Sequence, residues 1–304
     1  MSKPVKKTLG LALSGSGNRT TFYIGFLEVL EEEGIKVDYL SACSGGAIVA
    51  AAYAAGTLAE FRDYILQLNR KDVFDVLTRQ RGEGGLYKLD YVEEILSRFT
   101  KGLTFEQVET KMAFTAVDIN NGELVDLCIG DIAHAARISC TTPALFEPVT
   151  WGNRVLVDGG VLSVVPISSL KKFSPDFSIS INLALTRNVF TGAQMNAKKM
   201  INFFSKFLLL DQIHDIFEKN VNDNPVQDFE KSQKIFSVWG RSLDLAIYAN
   251  KKYMDDIGCD LKIEPNFKNQ NRASISSGTM KKNYEIGRQT ARDYLPKIKE
   301  MLLH

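Results

Sequence analysis

Ala42-Cys43-Ser44-Gly45-Gly46 follows an apolar run over residues 35–40 and precedes an alanine-rich stretch over residues 47–55. The pattern reads as strand, sharp turn and helix, with a serine at the apex. Such an elbow lifts the serine oxygen clear of the sheet edge, and bulky neighbours would block that geometry. Working outward, Leu9–Leu13 is a short apolar run ended by Ser14-Gly15-Ser16-Gly17, as expected of a buried strand. Residues 20–33 then read as a helix. Phe22, Phe26 and Val29 with Tyr23, Leu27 and Leu30 form one apolar stripe, and Gly34 supplies the stop.

Further along, residues 112–119 and 124–129 flank Asn120-Asn121-Gly122. Asn-Gly tolerates the positive φ of a tight hairpin turn, so two paired strands are expected. A short helix over residues 132–138 leads to Pro143, and a second hairpin turns at Trp151-Gly152-Asn153. Pro166 is placed to open another helix. Residues 177–185 read as a core strand, 259–263 as a last strand and 284–302 as a closing helix. Residues 188–256 are largely helical in pattern. Strands mixed with helices predict an α/β fold, a three-layer α/β/α arrangement with a central, mostly parallel sheet. We expect one domain over residues 1–304: a motif-bearing core at about 8–185, a helical cap or lid at about 188–256, and a closing strand and helix at 259–304.

Composition narrows the function classes. With 304 residues, 45% hydrophobic and 24% charged, the balance is that of an ordinary globular protein. A formal net charge of +1 provides no global field for nucleic acid, so no nucleic-acid partner is expected. Cys43, Cys128, Cys140 and Cys259 show neither metal-ligand spacing nor a disulfide framework. They read as free buried thiols in a reducing compartment, and no metal or cofactor is called for. The lysines at 3, 6 and 7 before Leu9–Leu13 imitate a signal peptide. The apolar stretch is too short, though, and no Ala-x-Ala pattern follows. No segment reaches the ~20 apolar residues that span a bilayer. The expected location is cytoplasmic or peripheral to a membrane, with the oligomeric state open. Residues 200–210, rich in Phe and Leu with Lys198, Lys199 and Lys206 nearby, suit a lid, a core helix or an interfacial helix.

A serine hydroxyl needs a base within hydrogen-bond reach to act as a nucleophile. Of the three histidines, His304 is terminal, His214 lies in a polar stretch, and His134 lies in a small-residue helix, so none offers a convincing site. Asp158 is the better candidate. It ends the apolar run Val155-Leu156-Val157, where a carboxylate projects from the sheet edge, and Gly159 and Gly160 let the chain turn close to another backbone. Partial burial would raise its pKa and improve it as a base. The bland reading of Asp158-Gly159 is an Asx-type turn. Gly15-Ser16-Gly17-Asn18-Arg19 is the third element. A glycine-rich turn into a helix presents free amides to a developing oxyanion, and Arg19 would steady the loop or add positive potential. The competing reading is a nucleotide phosphate loop, with Asp38 as the ribose acid. Thr20 stands where the third glycine of that motif belongs, and no Gly-Lys-Ser/Thr occurs.

In this order the three pieces resemble the patatin-like phospholipases. The family's Leu-Gly-Gly-Gly-Gly-x-Arg-Gly pattern aligns with Leu13-Ser14-Gly15-Ser16-Gly17-Asn18-Arg19-Thr20, its G-x-S-x-G elbow with Ala42 to Gly46, and its D-G-G/A motif with Asp158 to Gly160. The resemblance covers most of residues 8–185. It implies a Ser–Asp dyad: Ser44 as the acyl-accepting nucleophile and Asp158 as base and orienter. Gly15, Ser16 and Gly17 would form the oxyanion site, with Arg19, Gly46, Gly159 and Gly160 in support. It further implies phospholipid, lysophospholipid or other lipid-ester substrates, peripheral membrane contact and no metal. The chain departs from the pattern at Ala42, Ser14, Ser16 and Thr20. These departures motivate an alternative, a catalytically degenerate relative that binds lipid or a protein partner. The acyl carrier protein transacylases share such an elbow but use a histidine base, which the scarcity of histidines disfavours.

Overall fold

The computed structural model describes residues 7–183, 258–267 and 276–303. In chain order the regular elements begin with β1 (Leu9–Leu13), α1 (Thr21–Glu32), β2 (Tyr39–Ala42) and α2 (Gly45–Ala54). Next come α3 (Leu58–Gln67), α4 (Arg70–Thr78), β3 (Gln80–Arg81), β4 (Tyr87–Lys88) and α5 (Asp90–Thr100). Then follow β5 (Lys111–Asp118), β6 (Glu123–Leu127), α6 (Ile132–Ser139), β7 (Val149–Trp151) and β8 (Arg154–Asp158). Last are α7 (Ile167–Lys171), β9 (Phe177–Ile181), β10 (Leu261–Ile263) and α8 (Ser277–Leu303). By compactness the chain divides into residues 1–184 with 250–304, and residues 185–249. All described residues belong to the first of these units. The expected helical cap over 188–256, the 200–210 segment, His214 and His304 lie outside the described residues.

Among the described residues the main sheet runs β10-β9-β1-β2-β5-β8-β7, with β6 on the free side of β5. The β10-β9-β1-β2-β5 portion is parallel. Strands β6, β8 and β7 are joined to it antiparallel. This is an α/β fold with a mixed, mostly parallel sheet. Strand alternation distributes β1 between two faces. Leu9, Leu11 and Leu13 pack with Phe22, Phe26, Ala50 and Phe114 in the principal core. Ala12 faces the opposite side and packs with Val165, Ile167 and Leu170 around α7.

Helix α1 is buried along nearly its whole length, from Thr21 to Leu30. Burying each of its large side chains is worth ~1.5–3 kcal/mol relative to exposure, so this helix is held by packing. The expected stripe is only part of the buried surface, because α8 covers the far side. Two glycines permit that approach. A Cβ on Gly25 would lie 2.2 Å from the Tyr284 carbonyl oxygen, and one on Gly287 2.0 Å from that of Phe22. Beside the crossing, buried Glu28 receives Arg62 at 2.7 Å, the Tyr284 hydroxyl at 2.6 Å and Arg288 at 3.3 Å. Its charge is therefore paired.

The strand expected over residues 35–40 forms instead at Tyr39–Ala42. Ile35 and Val37 are buried, but β1 begins at Leu9, which faces the residue before Tyr39. Apolar residues before that point fill the core without a ladder partner. Both hairpins form, with Gly122 at φ 73° and Gly152 at φ 61° in their turns. The cysteines are free, but only Cys43 is buried. Cys140 and Cys259 are half-buried and Cys128 is exposed, because it falls just beyond the end of β6. No described helix is long and apolar enough to cross a membrane.

The α1–α8 crossing sets a test. Ala is favoured over Gly in a helix by ~1 kcal/mol, yet overpacking costs ~1–3 kcal/mol or more. A methyl 2.0 Å from a carbonyl oxygen should make the steric term win. Gly287→Ala is expected to lower the urea midpoint, whereas Gly278→Ala, with nothing closer than 4.0 Å, should leave it unchanged or raise it.

Candidate active site

Ser44 lies between β2 and α2 with φ 51° and ψ −125°, in left-handed φ space that a non-glycine residue rarely adopts. Strain of this kind costs ~1–3 kcal/mol and persists only where the surroundings enforce it. Several contacts do so. The Ser44 N–H donates to Ser139 Oγ at 2.9 Å, and Ser139 Oγ donates to the Thr115 carbonyl at 2.8 Å. Cys43 N–H donates to the Leu13 carbonyl at 3.1 Å. The elbow glycines are required by crowding. A Cβ on Gly45 would strike Ser16 Oγ and Thr20 Oγ1 at 2.4 Å, and one on Gly46 would strike the Leu13 and Ser14 carbonyls at 2.9 Å. Ala42 is buried within the sheet between Leu13 and Phe114, so its methyl is accommodated there. Ser44 makes no side-chain cap to α2, which leaves its half-buried hydroxyl to other partners.

Asp158 is brought beside it by β5. Ala42 pairs with Phe114 and Asp158 with Ala116, two positions further along the same strand. Because β6 occupies the other side of β5, β2 and β8 share one side and meet end to end. The Asp158 carboxyl is nearly buried. Its Oδ1 accepts the Gly160 N–H at 2.8 Å and the Cys43 thiol at 3.5 Å, and its Oδ2 accepts Thr142 Oγ1 at 3.2 Å. The Ser44 hydroxyl lies close enough to favour its charged form as well. Catalytic hydrogen bonds often tighten only with substrate present. Burial pushes the carboxyl above its ordinary pKa, and the donors of Gly160, Ser44, Cys43 and Thr142 pull part of the way back.

The Gly160 contact is the Asx turn of the bland reading, and it engages Oδ1, not the Oδ2 that Thr142 meets. Gly159 is forced by contact, since a Cβ there would lie 2.4 Å from Thr115 Oγ1. A Cβ on Gly160 would come 3.1 Å from Asp158 Oδ1.

The glycine-rich loop passes over the elbow: a Cβ on Gly15 would lie 3.6 Å from Ser44 Cβ. One expectation fails here. The Gly15 N–H is already donated to the Val164 carbonyl at 2.9 Å, so it is not a free donor. Ser16 holds φ −125° and Thr20 φ −49°, so neither needs a glycine; Gly17, at φ 53°, does. Thr20 Oγ1 donates to the Gly17 carbonyl at 2.7 Å and pairs with Ser16 Oγ at 2.9 Å. These hydroxyls brace the loop where the family pattern has glycine. Arg19 donates to the Leu183 carbonyl at 2.8 Å and lies 4.1 Å over the Phe267 ring. Its contacts therefore steady the loop.

His134 is engaged elsewhere. Its Nδ1 meets Glu93 at 2.9 Å and its ring lies 5.4 Å from that of Trp151. The hydrogen bond to His134 lowers the Glu93 pKa. No cluster of metal-binding side chains occurs among the described residues. Sequence reasoning missed Thr115, Ser139, Cys140 and Thr142, which line the same spot. The only signal was a run of small polar residues directly after the α6 pattern.

Fold and elbow together define an α/β protein with a strained serine at the end of a parallel strand. Residues 11–171 match the patatin-like phospholipase family, and the chain belongs to that family. An uncharacterized NTE family protein of Mycobacterium tuberculosis is 26% identical over 175 residues, covering 58% of this chain and 49% of that protein. This chain thus spans about half the length of that relative. The uncharacterized YqhO of Bacillus subtilis is 28% identical over 253 residues, covering 71% of this chain and 86% of YqhO. Lysophospholipase NTE1 of Scheffersomyces stipitis is 25% identical over 192 residues, covering 58% of this chain and 12% of that protein. Among solved structures, VipD from Legionella pneumophila superposes with a TM-score of 0.50 at 15% identity. The match covers 95% of this chain and 67% of VipD, a likeness of fold.

The raised pKa of Asp158 has a consequence for stability. An acid whose folded pKa exceeds its unfolded one is stabilising below the unfolded pKa, and that contribution is lost as pH rises through the folded value. Asp158→Asn removes the buried charge. Its melting temperature is expected to equal or exceed that of the wild type at neutral pH, with any gain shrinking as pH falls through the ordinary carboxylate range. A gain that grows on acidification would contradict the desolvation argument.

Proposed function

We propose that the protein is a lipid acyl hydrolase that cleaves ester bonds of phospholipids or lysophospholipids through a Ser44–Asp158 dyad. The observation that carries the reading is the strained Ser44 beside a buried carboxylate of raised pKa. Family membership supports it, as does the name of the yeast relative, a lysophospholipase.

In this reading Ser44 Oγ attacks the acyl carbonyl as its proton passes to Asp158. Charge then develops on the carbonyl oxygen. The N–H groups of Ser16 and Gly17 have no acceptor among the described residues and would donate to it, as would that of Gly45, the residue after the nucleophile. The amino end of α2 adds favourable potential. Collapse of the tetrahedral species releases the alcohol, which takes the proton from Asp158 and leaves the acyl group on Ser44. Water then attacks this ester, gives its proton to Asp158, and frees the fatty acid as the proton returns to Ser44. Elevated carboxyl pKa suits both transfers. Substrate in a bilayer or micelle requires peripheral contact with its surface.

The degenerate alternative rested on the replaced loop glycines. Ser16 keeps its amide at negative φ and Thr20 is in right-handed helical space, so neither observation now favours it.

A fluorophosphonate probe is expected to label the wild type at Ser44 and not Ser44→Ala. Turnover of a phospholipid or lysophospholipid panel should fall by ~10³-fold or more in Ser44→Ala, and strongly in Asp158→Asn with the fold retained. Binding of liposomes without any ester turnover would return the degenerate reading.

A further inference from the structure

Four consecutive residues, the last of α6 and the three that follow it, reach both members of the pair. Ser139 Oγ accepts the Ser44 N–H at 2.9 Å. The Cys140 side chain lies beside that of Ser44. The Thr141 carbonyl accepts the Asp158 N–H at 2.8 Å, and Thr142 Oγ1 donates to Asp158 Oδ2 at 3.2 Å. Nothing else in the described chain grips the backbone of one member and the side chain of the other from a single short segment.

We propose that Ser139–Thr142 is a positioning clamp for the Ser44–Asp158 pair: Ser139 holds the elbow, and Thr142 holds the carboxylate. The proposal rests on the dyad reading above.

The two ends act on different quantities. Ser139 is fully buried and hydrogen-bonded on both sides, to Ser44 and to Thr115. It ties the strained amide to β5, the strand that sets the spacing between the ends of β2 and β8. Removing its hydroxyl leaves the Ser44 N–H without its acceptor and lets φ relax, which displaces the nucleophile without touching any substrate contact. The expected signature is a lower kcat at unchanged KM. Thr142 donates to the carboxylate, so it favours the charged form of Asp158. Its loss should raise the Asp158 pKa further and carry the acid limb of the pH–rate profile to higher pH. The other titratable groups facing Asp158 are the thiols of Cys43, from the end of β2, and Cys140, from the clamp itself. Burial holds both well above the usual thiol range, so they stay neutral across the acid limb.

The experiment measures kcat, KM, pH profile, fluorophosphonate labelling rate and melting temperature for Ser139→Ala, Thr142→Val, Thr142→Ser and Ser44→Ala in the full chain. Ser139→Ala is expected to lower both kcat and labelling rate by ~10- to 100-fold at constant KM. Thr142→Val, close in shape, should move the acid limb to higher pH, and Thr142→Ser should restore it. Should Ser139→Ala fold poorly, the Thr142 pair still decides the matter. Wild-type kinetics in Ser139→Ala together with an unmoved acid limb in Thr142→Val overturn the clamp while Ser44→Ala remains dead. Full activity in Ser44→Ala instead overturns the dyad reading itself.

Discussion

The site depends on how one strand, β5, spaces two others. Its side turned away from β6 is paired first with β2 and then, two positions on, with β8 running the opposite way. Register in a sheet moves in whole residues, and a one-residue slip would turn every side chain to the other face. Ser44 and Asp158 are therefore set close to each other by ladder hydrogen bonds. No flexible loop has to find the geometry. Thr115, between the two paired positions, is where the ends are stitched together. Its carbonyl receives Ser139 and its side chain faces the Ala42 carbonyl at 3.5 Å.

From that constraint the crowding around the elbow follows. Strand ends that meet head-on bring backbones into near contact, and side chains must give way. Gly45, Gly46 and Gly159 each stand where a methyl would meet oxygen atoms within 3.0 Å. Buried hydroxyls of Thr20, Thr115 and Ser139 bond the polar backbone groups that such crowding leaves behind. The result is a site whose strain is carried by hydrogen bonds made within the protein. Those bonds are in place before any substrate arrives, which is what preorganisation requires.

Electrostatics add a second layer. Asp158 is buried among thiols, hydroxyls and an amide, with Arg19 drawn off toward Leu183 and Phe267. Burial raises its pKa, while the donors around it limit the rise. In the proposed dyad, a carboxyl in that balance would take a proton from Ser44 and give it up again. His134, the one histidine among the described residues, is committed to Glu93 and Trp151.

Much was legible in the chain itself. The elbow, the Asp-Gly-Gly turn, both hairpins and the first strand–helix unit are local patterns. Each follows from turn chemistry or periodicity within a dozen residues. Residues 56–111 offered no comparably sharp signal, and they hold α3, α4, α5 and the β3–β4 pair. Tertiary structure alone decided where β2 begins, because pairing depends on where β1 starts. It alone decided that the Gly15 amide is spent on Val164 and that Gly25 and Gly287 open a helix crossing. It also brought Ser139 and Thr142, nearly a hundred residues downstream, onto the elbow and its acid. A sequence records which residues tolerate a local turn. Contacts between distant segments arise from ladder register and close packing, and neither leaves a periodic mark on the residues that make them.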